Sequence, residues 1–553
     1  MDEGVEAVKL RVGGGMGSVL RTEAVMAAVA IVGLLLRLWG IGFGLPRLYD
    51  PDEWHWVGRA LRMLHDHDPN PHWFGHPGTT IMYILCMIYV AEFCAGLAVG
   101  SYSSAAEFEA LYFRDPTLFY LSGRILIVLF GTATILAVYL LARRLGGRAT
   151  GLLAATVLAL SPVHVLYSRL VRGDIVIGLL LLVSLWFCLN VLEDRRWRDY
   201  LAAGFVTGLA VATKYTAAIY IAPILLSHLE VTRWKLHDLR KHTRLLGSGV
   251  ACLAGAFVGS PFLLLDFQTA LSDIAYEAQA RHLGGIGEGY LRDLLWYLVG
   301  PMPSALSGLG VLLAGLGILS SLSSGRRVDR VVASTPVFFM LFISCHSLRW
   351  ERWIIPAIPL LCIPLAHAIR LAARWAGQRL ARAISPWLSV GLLALVAVPL
   401  LRADVAQAQA LTGPDTRTLA GEWMLANLPP GSRVLMESGT PQLPKDVFAF
   451  FSVSRDGALA PMDPQHEDHA LFRAGGSIGR LQDEGLLAEQ MIQYVVMSSI
   501  YDRYVANSER YPEEVAVYER IAENARLIYE LPGHTVESTY PIGGPRLRIY
   551  EID

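Results

Sequence analysis

Apolar residues run in long blocks from residue 24 to about 405, then give way to short apolar runs separated by polar turns. About 18 consecutive apolar residues can cross the hydrocarbon core as a helix. Candidate spans are Ala24–Ile41, Gly78–Val99, Leu118–Ala142, Thr150–Leu166, Ile175–Leu192, Tyr200–Ala212, Thr216–Leu229, Leu246–Leu265, Ser304–Leu322, Val331–Cys345, Ile354–Ala372 and Trp387–Leu401. Two of them are short and flank Lys214-Tyr215, a polar break in an otherwise apolar run. The pattern predicts a polytopic α-helical membrane protein of roughly 11–13 spans over residues 24–405.

After residue 406 the pattern is that of a water-soluble fold. Thr416–Asn427 predicts a helix, stopped by Leu428-Pro429-Pro430-Gly431. Arg433–Met436, Tyr494–Met497, Leu527–Tyr529 and Leu547–Tyr550 predict strands. Residues 406–553 thus read as a small α/β domain whose sheet edges pack against the membrane part. It carries no glycine-rich phosphate loop, metal-ligand spacing or nucleophile elbow.

Loop charge orients the chain, because Lys and Arg are retained on the cytoplasmic side. The basic connections are Arg143-Arg144/Arg148, Arg195-Arg196/Arg198, Arg233 through Arg244, Arg326-Arg327/Arg330 and Arg374/Arg379/Arg382. Placing these inside, with residues 1–23, puts Arg169–Asp174, Lys214, residues 266–303, His346–Arg352 and the C-terminal domain outside. The acidic loop 42–77 belongs outside as well, and parity then fails between the first and third spans. Either Gly78–Val99 with Glu107–Arg114 does not cross simply, or one segment is not a span. Ala24–Ile41 lacks a small-residue cleavage pattern and reads as a retained first span.

Composition agrees with this picture. The 553 residues have a mean hydropathy of +0.42 and only 17% charged residues, against roughly 25% in soluble domains. A net charge of −1 without a basic stripe argues against nucleic-acid partners. Cys86, Cys94, Cys188, Cys252, Cys345 and Cys362 lie in or beside apolar segments and read as small core residues.

The densest chemistry lies in Tyr49-Asp50-Pro51-Asp52-Glu53-Trp54-His55-Trp56, followed by Phe74-Gly75-His76-Pro77-Gly78. Charge retained beside hydrocarbon is expensive and marks function. A carboxylate at a low-dielectric surface suits proton abstraction from a hydroxyl, and Trp54 and Trp56 offer flat faces for a sugar or an interface. The bland alternative is that Asp50, Asp52 and Glu53 cap the helix Trp54–Leu64. His55, His65, His67, His72 and His76 crowd the loop in spacings that match no closed zinc site; His76 could instead donate to a phosphate. Arg169, Arg172, Lys214, Arg349 and Arg352 are outer-face cations that break the positive-inside trend. A gripped lipid phosphate explains them, as does pairing with Asp174 and Glu351. Arg124 faces the same site or is a structural residue in the bundle. The long connection 266–303, with His282, is a binding element or a surface helix with a linker.

Assembled in order, these segments resemble the GT-C glycosyltransferases, specifically the family 39 group of protein O-mannosyltransferases and lipid A aminoarabinose transferases. The matching features are Asp52-Glu53, His76-Pro77-Gly78, Tyr167–Asp174, Gly208–Tyr215 and Arg349–Pro359, and together they cover roughly residues 25–400. The family commonly has His-Pro-Pro where this chain has Gly78. The resemblance implies an enzyme of the plasma (inner) membrane that transfers a sugar from a polyprenyl-phosphate donor to a hydroxyl of a protein, lipid or glycan acceptor. It implies inversion, with Asp52 as general base and Glu53 beside it. His76, Arg169, Arg172, Lys214, Arg349 and Arg352 would bind the lipid phosphate, and Trp54, His55, Tyr215 and His282 would line the acceptor and sugar. Some members use a divalent metal and others none, so the metal stays open. A secondary transporter or lipid-sugar flippase is the alternative, since broken helices such as that around Lys214 also mark transporter sites. A catalytically dead scaffold is a third.

Overall fold

The computed structural model describes residues 16–75, 78–234, 242–279, 283, 285–454, 456–462, 471–472, 474–533 and 543–552. His76 and His282 lie outside the described residues. The chain is a multi-pass membrane protein. Among the described residues five helices are long and apolar enough to cross a bilayer, and a pair bent by 108°, Tyr290–Leu306 with Gly308–Leu322, makes a sixth. Other apolar segments are shorter, such as Arg148–Ala159 and Thr243–Gly259, so the expected 11–13 spans are not each one long helix.

The first five helices are α1 (Met16–Leu38), α2 (Trp54–His65), α3 (Thr79–Val99), α4 (Ala105–Arg114) and α5 (Thr117–Gly146). They explain the parity conflict. At one end of α1, Glu23 pairs with Arg143 near the end of α5 (2.9 Å). Beyond the other end, the Ile41 and Phe43 carbonyls accept from Arg124 near the start of α5 (2.8 and 2.9 Å). The two helices are antiparallel neighbours, so the chain between them makes no net crossing. α3 reads as a span because it is long and apolar. Yet at its middle Cys86 bonds the Ala60 carbonyl of α2 (3.3 Å), and the Tyr89 hydroxyl donates to the Phe119 carbonyl at the start of α5 (3.1 Å).

Several basic connections meet on one face of the bundle. Arg144 pairs with Glu193 (2.7 Å), Arg330 with Glu230 (2.8 Å), and Arg244 donates to the Arg195 carbonyl (2.7 Å). At the opposite face, Trp197–Thr213 ends at Lys214, whose extended backbone (φ −162°, ψ 129°) breaks the helix before the 3₁₀ turn Tyr215–Tyr220. This helix packs closely on Thr243–Gly259. A Cβ on Gly204 or Gly208 would meet the main chain of Ser248 or Cys252, the small-residue contact typical of membrane helices.

The last long helix, Ile384–Thr412, continues past residue 406 and is followed by Thr416–Asn427. The C-terminal part is a six-stranded sheet of order β4-β3-β1-β6-β8-β7, where β1 is Arg433–Met436, β3 Ala449–Val453, β4 Leu459–Pro461, β6 Tyr494–Met497, β7 Ala525–Leu531 and β8 Leu547–Ile552. A separate pair joins β2 (Leu443–Pro444) to β5 (Leu471–Phe472). β1 runs parallel to both β3 and β6, and the outer strands are antiparallel. One core packs on each sheet face, Leu435, Val495 and Tyr518 on one, Met424, Val434 and Val496 on the other, as alternating strand residues require. The bonds to the acidic loop do not come from the sheet edges, as expected, but from the stretch after β1 and from Thr416–Asn427. The Gln442 amide pairs with both the N–H and the C=O of Leu48 (3.0 and 2.8 Å), and the Tyr49 hydroxyl bonds Thr418 (2.6 Å).

Candidate active site

The acidic loop is folded by its own carboxylates. Asp50 Oδ1 accepts from the N–H groups of Asp52 (2.8 Å) and Glu53 (2.9 Å), which closes the turn into α2. Asp50 Oδ2 accepts from Arg172 Nη2 (2.7 Å), and Arg172 Nη1 donates to Asp52 Oδ2 (2.6 Å). One guanidinium therefore forks across two carboxylates, a charge-assisted arrangement stronger than neutral bonds. Arg417 from the helix Thr416–Asn427 closes the loop, donating to the Tyr49 carbonyl (3.2 Å) with its guanidinium 3.8 Å over the Tyr49 ring.

Glu53 points the other way. It is 1% exposed and accepts from Nε and Nη2 of Arg124 in a bidentate pair (3.0 and 2.7 Å), with a third bond from the Val171 N–H (2.9 Å). It staples α2 to α5 and to the loop before Arg172. Arg124 is thereby the structural residue of the two readings. The structure does not bring Glu53 to the cavity as a second catalytic carboxylate, because adjacent residues at a helix start point about 100° apart.

Asp52 faces a cavity of about 1130 Å³ between the helical bundle and the C-terminal sheet part. Arg172, Lys214, Tyr215, Trp54, His55 and Arg352 line it with Asp52. Arg352 stands 3.8 Å from Asp52, rests over Trp350 (4.8 Å) and makes no side-chain hydrogen bond among the described residues. Lys214 is paired with Asp174, and the Tyr215 hydroxyl donates to the Phe74 carbonyl (2.9 Å). Two predicted cations do not join them. Arg169 is fully buried in the bundle, where Nη2 donates to the Leu36 carbonyl (2.6 Å). Arg349 is held away by Glu288 and Asp293 and lies over Trp296.

Other lining residues carried no sequence signal. Trp73 stacks on His55 (6.4 Å, 16°) and meets Tyr276 of the 267–277 helix edge-on. Arg59 lies 5.4 and 5.5 Å from the rings of Trp54 and Trp73, and burial pushes its pKa down to about 10. This aromatic and cationic wall suits a sugar ring. Trp56 is instead buried under Gly78, where φ is +150° and a Cβ would collide with the indole. Proline, fixed near −65°, does not fit there, which explains the departure from His-Pro-Pro. Among the described residues no three His, Cys, Asp or Glu side chains are grouped to hold a metal ion.

Residues 120–260, which contain Arg124, Arg172 and Lys214, match the family described as dolichyl-phosphate-mannose-protein mannosyltransferase. The oligosaccharyltransferase of Archaeoglobus fulgidus, in its complex with zinc and sulfate, superposes with a TM-score of 0.50 at 14% identity, over 92% of this chain and 71% of its own. The fold is that of the GT-C glycosyltransferases. ArnT from Cupriavidus metallidurans, bound to undecaprenyl phosphate, gives a TM-score of 0.47 at 13% identity, over 97% of this chain and 98% of its own. No curated protein matches the chain in sequence. In this chain, the cavity with Asp52 lies between the helical bundle and the carboxyl ends of β1 and β6.

Proposed function

We propose that this chain is a membrane glycosyltransferase that moves a sugar from a polyprenyl-phosphate donor to an acceptor hydroxyl on the extracytoplasmic side, with inversion. The observation that carries the reading is Asp52 in one cavity with Arg172, Lys214 and Arg352. Asp52 accepts the hydroxyl proton as the acceptor oxygen bonds to the anomeric carbon. The bond from that carbon to the phosphate oxygen breaks, and the lipid phosphate leaves as an anion. Developing negative charge is stabilised most by preorganised cations. Arg352, with no side-chain hydrogen bond among the described residues, and Lys214 supply that stabilisation, while Arg172 holds the base. The family matched over residues 120–260, named for dolichyl-phosphate-mannose, supports a lipid-phosphate donor. Trp54, His55 and Trp73 line the sugar. Glu53 is a positioning residue through Arg124.

The test is transfer by the full chain in lipid nanodiscs, supplied with polyprenyl-phosphate sugars and a cell-envelope acceptor fraction. Asp52→Asn is expected to lower the rate about 10³-fold, within the range for losing a general base, with polyprenyl-phosphate affinity within about threefold of wild type. Undiminished transfer by this variant removes Asp52 as base. Lipid-sugar translocation without any transfer would move the assignment to a flippase.

A further inference from the structure

The soluble part contributes a wall of the cavity that the transfer reading leaves unused. β1 and β6 are parallel neighbours, and the chain leaves β1 for β3 on one side before returning to β6 on the other. In open sheets with parallel strands, ligands settle outside the carboxyl ends at such a switch point. Here those ends are Ser438–Thr440 and Ser498–Ser499, and they open onto the cavity that contains Asp52.

The crevice is held rigidly from below. Glu437, fully buried, accepts from the N–H groups of Ser498 (2.7 Å) and Ile478 (3.1 Å), from the Ser498 hydroxyl (3.1 Å) and from Tyr518. Ser498 Oγ also lies 2.9 Å from the Ser438 carbonyl. The two strand ends are thus tied through one carboxylate. Arg503, on the short helix Ile500–Val505, lines the same wall, and its guanidinium makes no hydrogen bond or ion pair among the described residues. It is open to the cavity yet crowded enough that burial lowers its pKa.

Among the described residues the cavity therefore has two guanidinium groups without hydrogen-bond partners, Arg352 on the helical-bundle side and Arg503 on the sheet side. One leaving phosphate accounts for the first only. We propose that Arg503 and the strand ends at Ser438–Thr440 and Ser498–Ser499 form a subsite for an anionic group of the acceptor, a phosphate or carboxylate remote from the hydroxyl that reacts. This rests on the transfer reading for the word acceptor, though not for the binding itself. The subsite holds the acceptor by its charged end so that its hydroxyl meets Asp52.

The experiment uses the full chain in nanodiscs, saturated with polyprenyl phosphate and titrated calorimetrically with inorganic phosphate and, separately, with acetate. Phosphate or acetate is expected to bind the saturated protein, and the tighter of the two identifies the anionic group. Arg503→Gln should weaken that binding at least fivefold, Arg503→Lys should recover most of it, and both should leave polyprenyl-phosphate affinity within twofold. Ser499→Ala serves as a second, milder variant, with an expected loss of about twofold. The proposal is overturned if Arg503→Gln changes anion binding less than twofold, or if polyprenyl phosphate displaces the anion and so claims the same site. If polyprenyl phosphate fails to bind while the anion still depends on Arg503, the transferase reading falls and the subsite stands.

Discussion

Arg172 and Arg169 stand close together in one loop, yet they belong to buried charge clusters of opposite construction. Around Arg172 nearly every polar atom has a bonded partner: Asp50, Asp52 and Glu53 together accept from two guanidinium groups and three backbone N–H groups. Around Arg169, deeper in the bundle, Arg37 donates to the Gly33 carbonyl and contacts His164 (2.8 and 2.9 Å). Both Asp404 oxygens, Arg169 Nε and Nη1, and His164 Nε2 have no hydrogen-bond partner among the described residues. Asp404 nevertheless acts electrostatically on Arg37 and Arg169. Saturation fixes geometry, because any movement breaks a charge-assisted bond. The second cluster holds its helices by charge without fixing hydrogen-bond geometry. A base that must meet a hydroxyl in one pose belongs to the first kind.

The largest effect tests that saturation directly. Removing one partner of a buried, bonded ion pair typically costs about 3–5 kcal/mol, whereas replacing both with apolar groups costs far less. Glu53→Gln and Arg124→Leu should each destabilise the full chain by about that amount, read as a fall in the unfolding midpoint in mild denaturant. The double variant Glu53→Leu/Arg124→Leu should be more stable than either single one and still fail to transfer sugar. Single variants within about 1 kcal/mol of wild type would show the staple to be incidental.

A bonded carboxylate outside the membrane extends the comparison. Burial raises the Glu437 pKa from its ordinary 4.5 to about 7, against four donated hydrogen bonds. The folded state therefore holds this proton more tightly than the unfolded chain. That contribution is fully present below about pH 4.5 and is lost as pH rises through about 7, a difference of about 3 kcal/mol at 1.36 kcal/mol per unit. Thermal unfolding at pH 5 and pH 8, compared between wild type and Glu437→Gln, should show the variant lacking this part of the slope. Parallel slopes would mean that the four donors hold the carboxylate ionised throughout.

Arg172→Lys keeps a charge in the saturated cluster but loses the fork, since an ammonium cannot grip two carboxylates in plane. Transfer should fall about 30- to 100-fold, close to 2–3 kcal/mol at the transition state, with stability changed by less than about 1 kcal/mol. Equal loss from Arg172→Lys and Asp52→Asn would make Arg172 part of the reacting set, not its holder.

Much of this was legible in the sequence, and the failures have physical causes. Short apolar runs, with the Leu428-Pro429-Pro430-Gly431 stop, located Thr416–Asn427, β1 and β6 to the residue, because propensity and burial agree there. The break at Lys214 was legible because a cation interrupts an apolar run. Arg169 and Arg349 were indistinguishable from Arg172 and Arg352, since a guanidinium in the bundle, or one paired with Glu288 and Asp293, has the same local sequence signature as one in the cavity. α3 is long and apolar enough to cross a bilayer, as its sequence predicts, but the parity conflict needed the α1–α5 contacts, because apolar length says nothing about which way a helix lies. Ser438, Ser498 and Arg503 gave no signal, because strand ends acquire chemistry only when the sheet is docked.

The smallest expected effect decides whether the two clusters differ in kind. Among the described residues Asp404 is the only carboxylate that acts on Arg37 and Arg169, so Asp404→Asn would cost several kcal/mol if a direct buried salt bridge held the three together. Among the described residues no hydrogen bond to Asp404 is broken by the change, however, and Arg37 keeps its bonds to the Gly33 carbonyl and His164. Unpaired buried polar atoms of this density are what internal water bonds to, and water can reorient around an amide as it does around a carboxylate. The expected cost is therefore about 1 kcal/mol, with the transfer rate within about twofold of wild type. A loss comparable to Glu53→Gln would place Asp404 in a direct pair, and the contrast between a bonded loop cluster and a loosely held bundle cluster would fail.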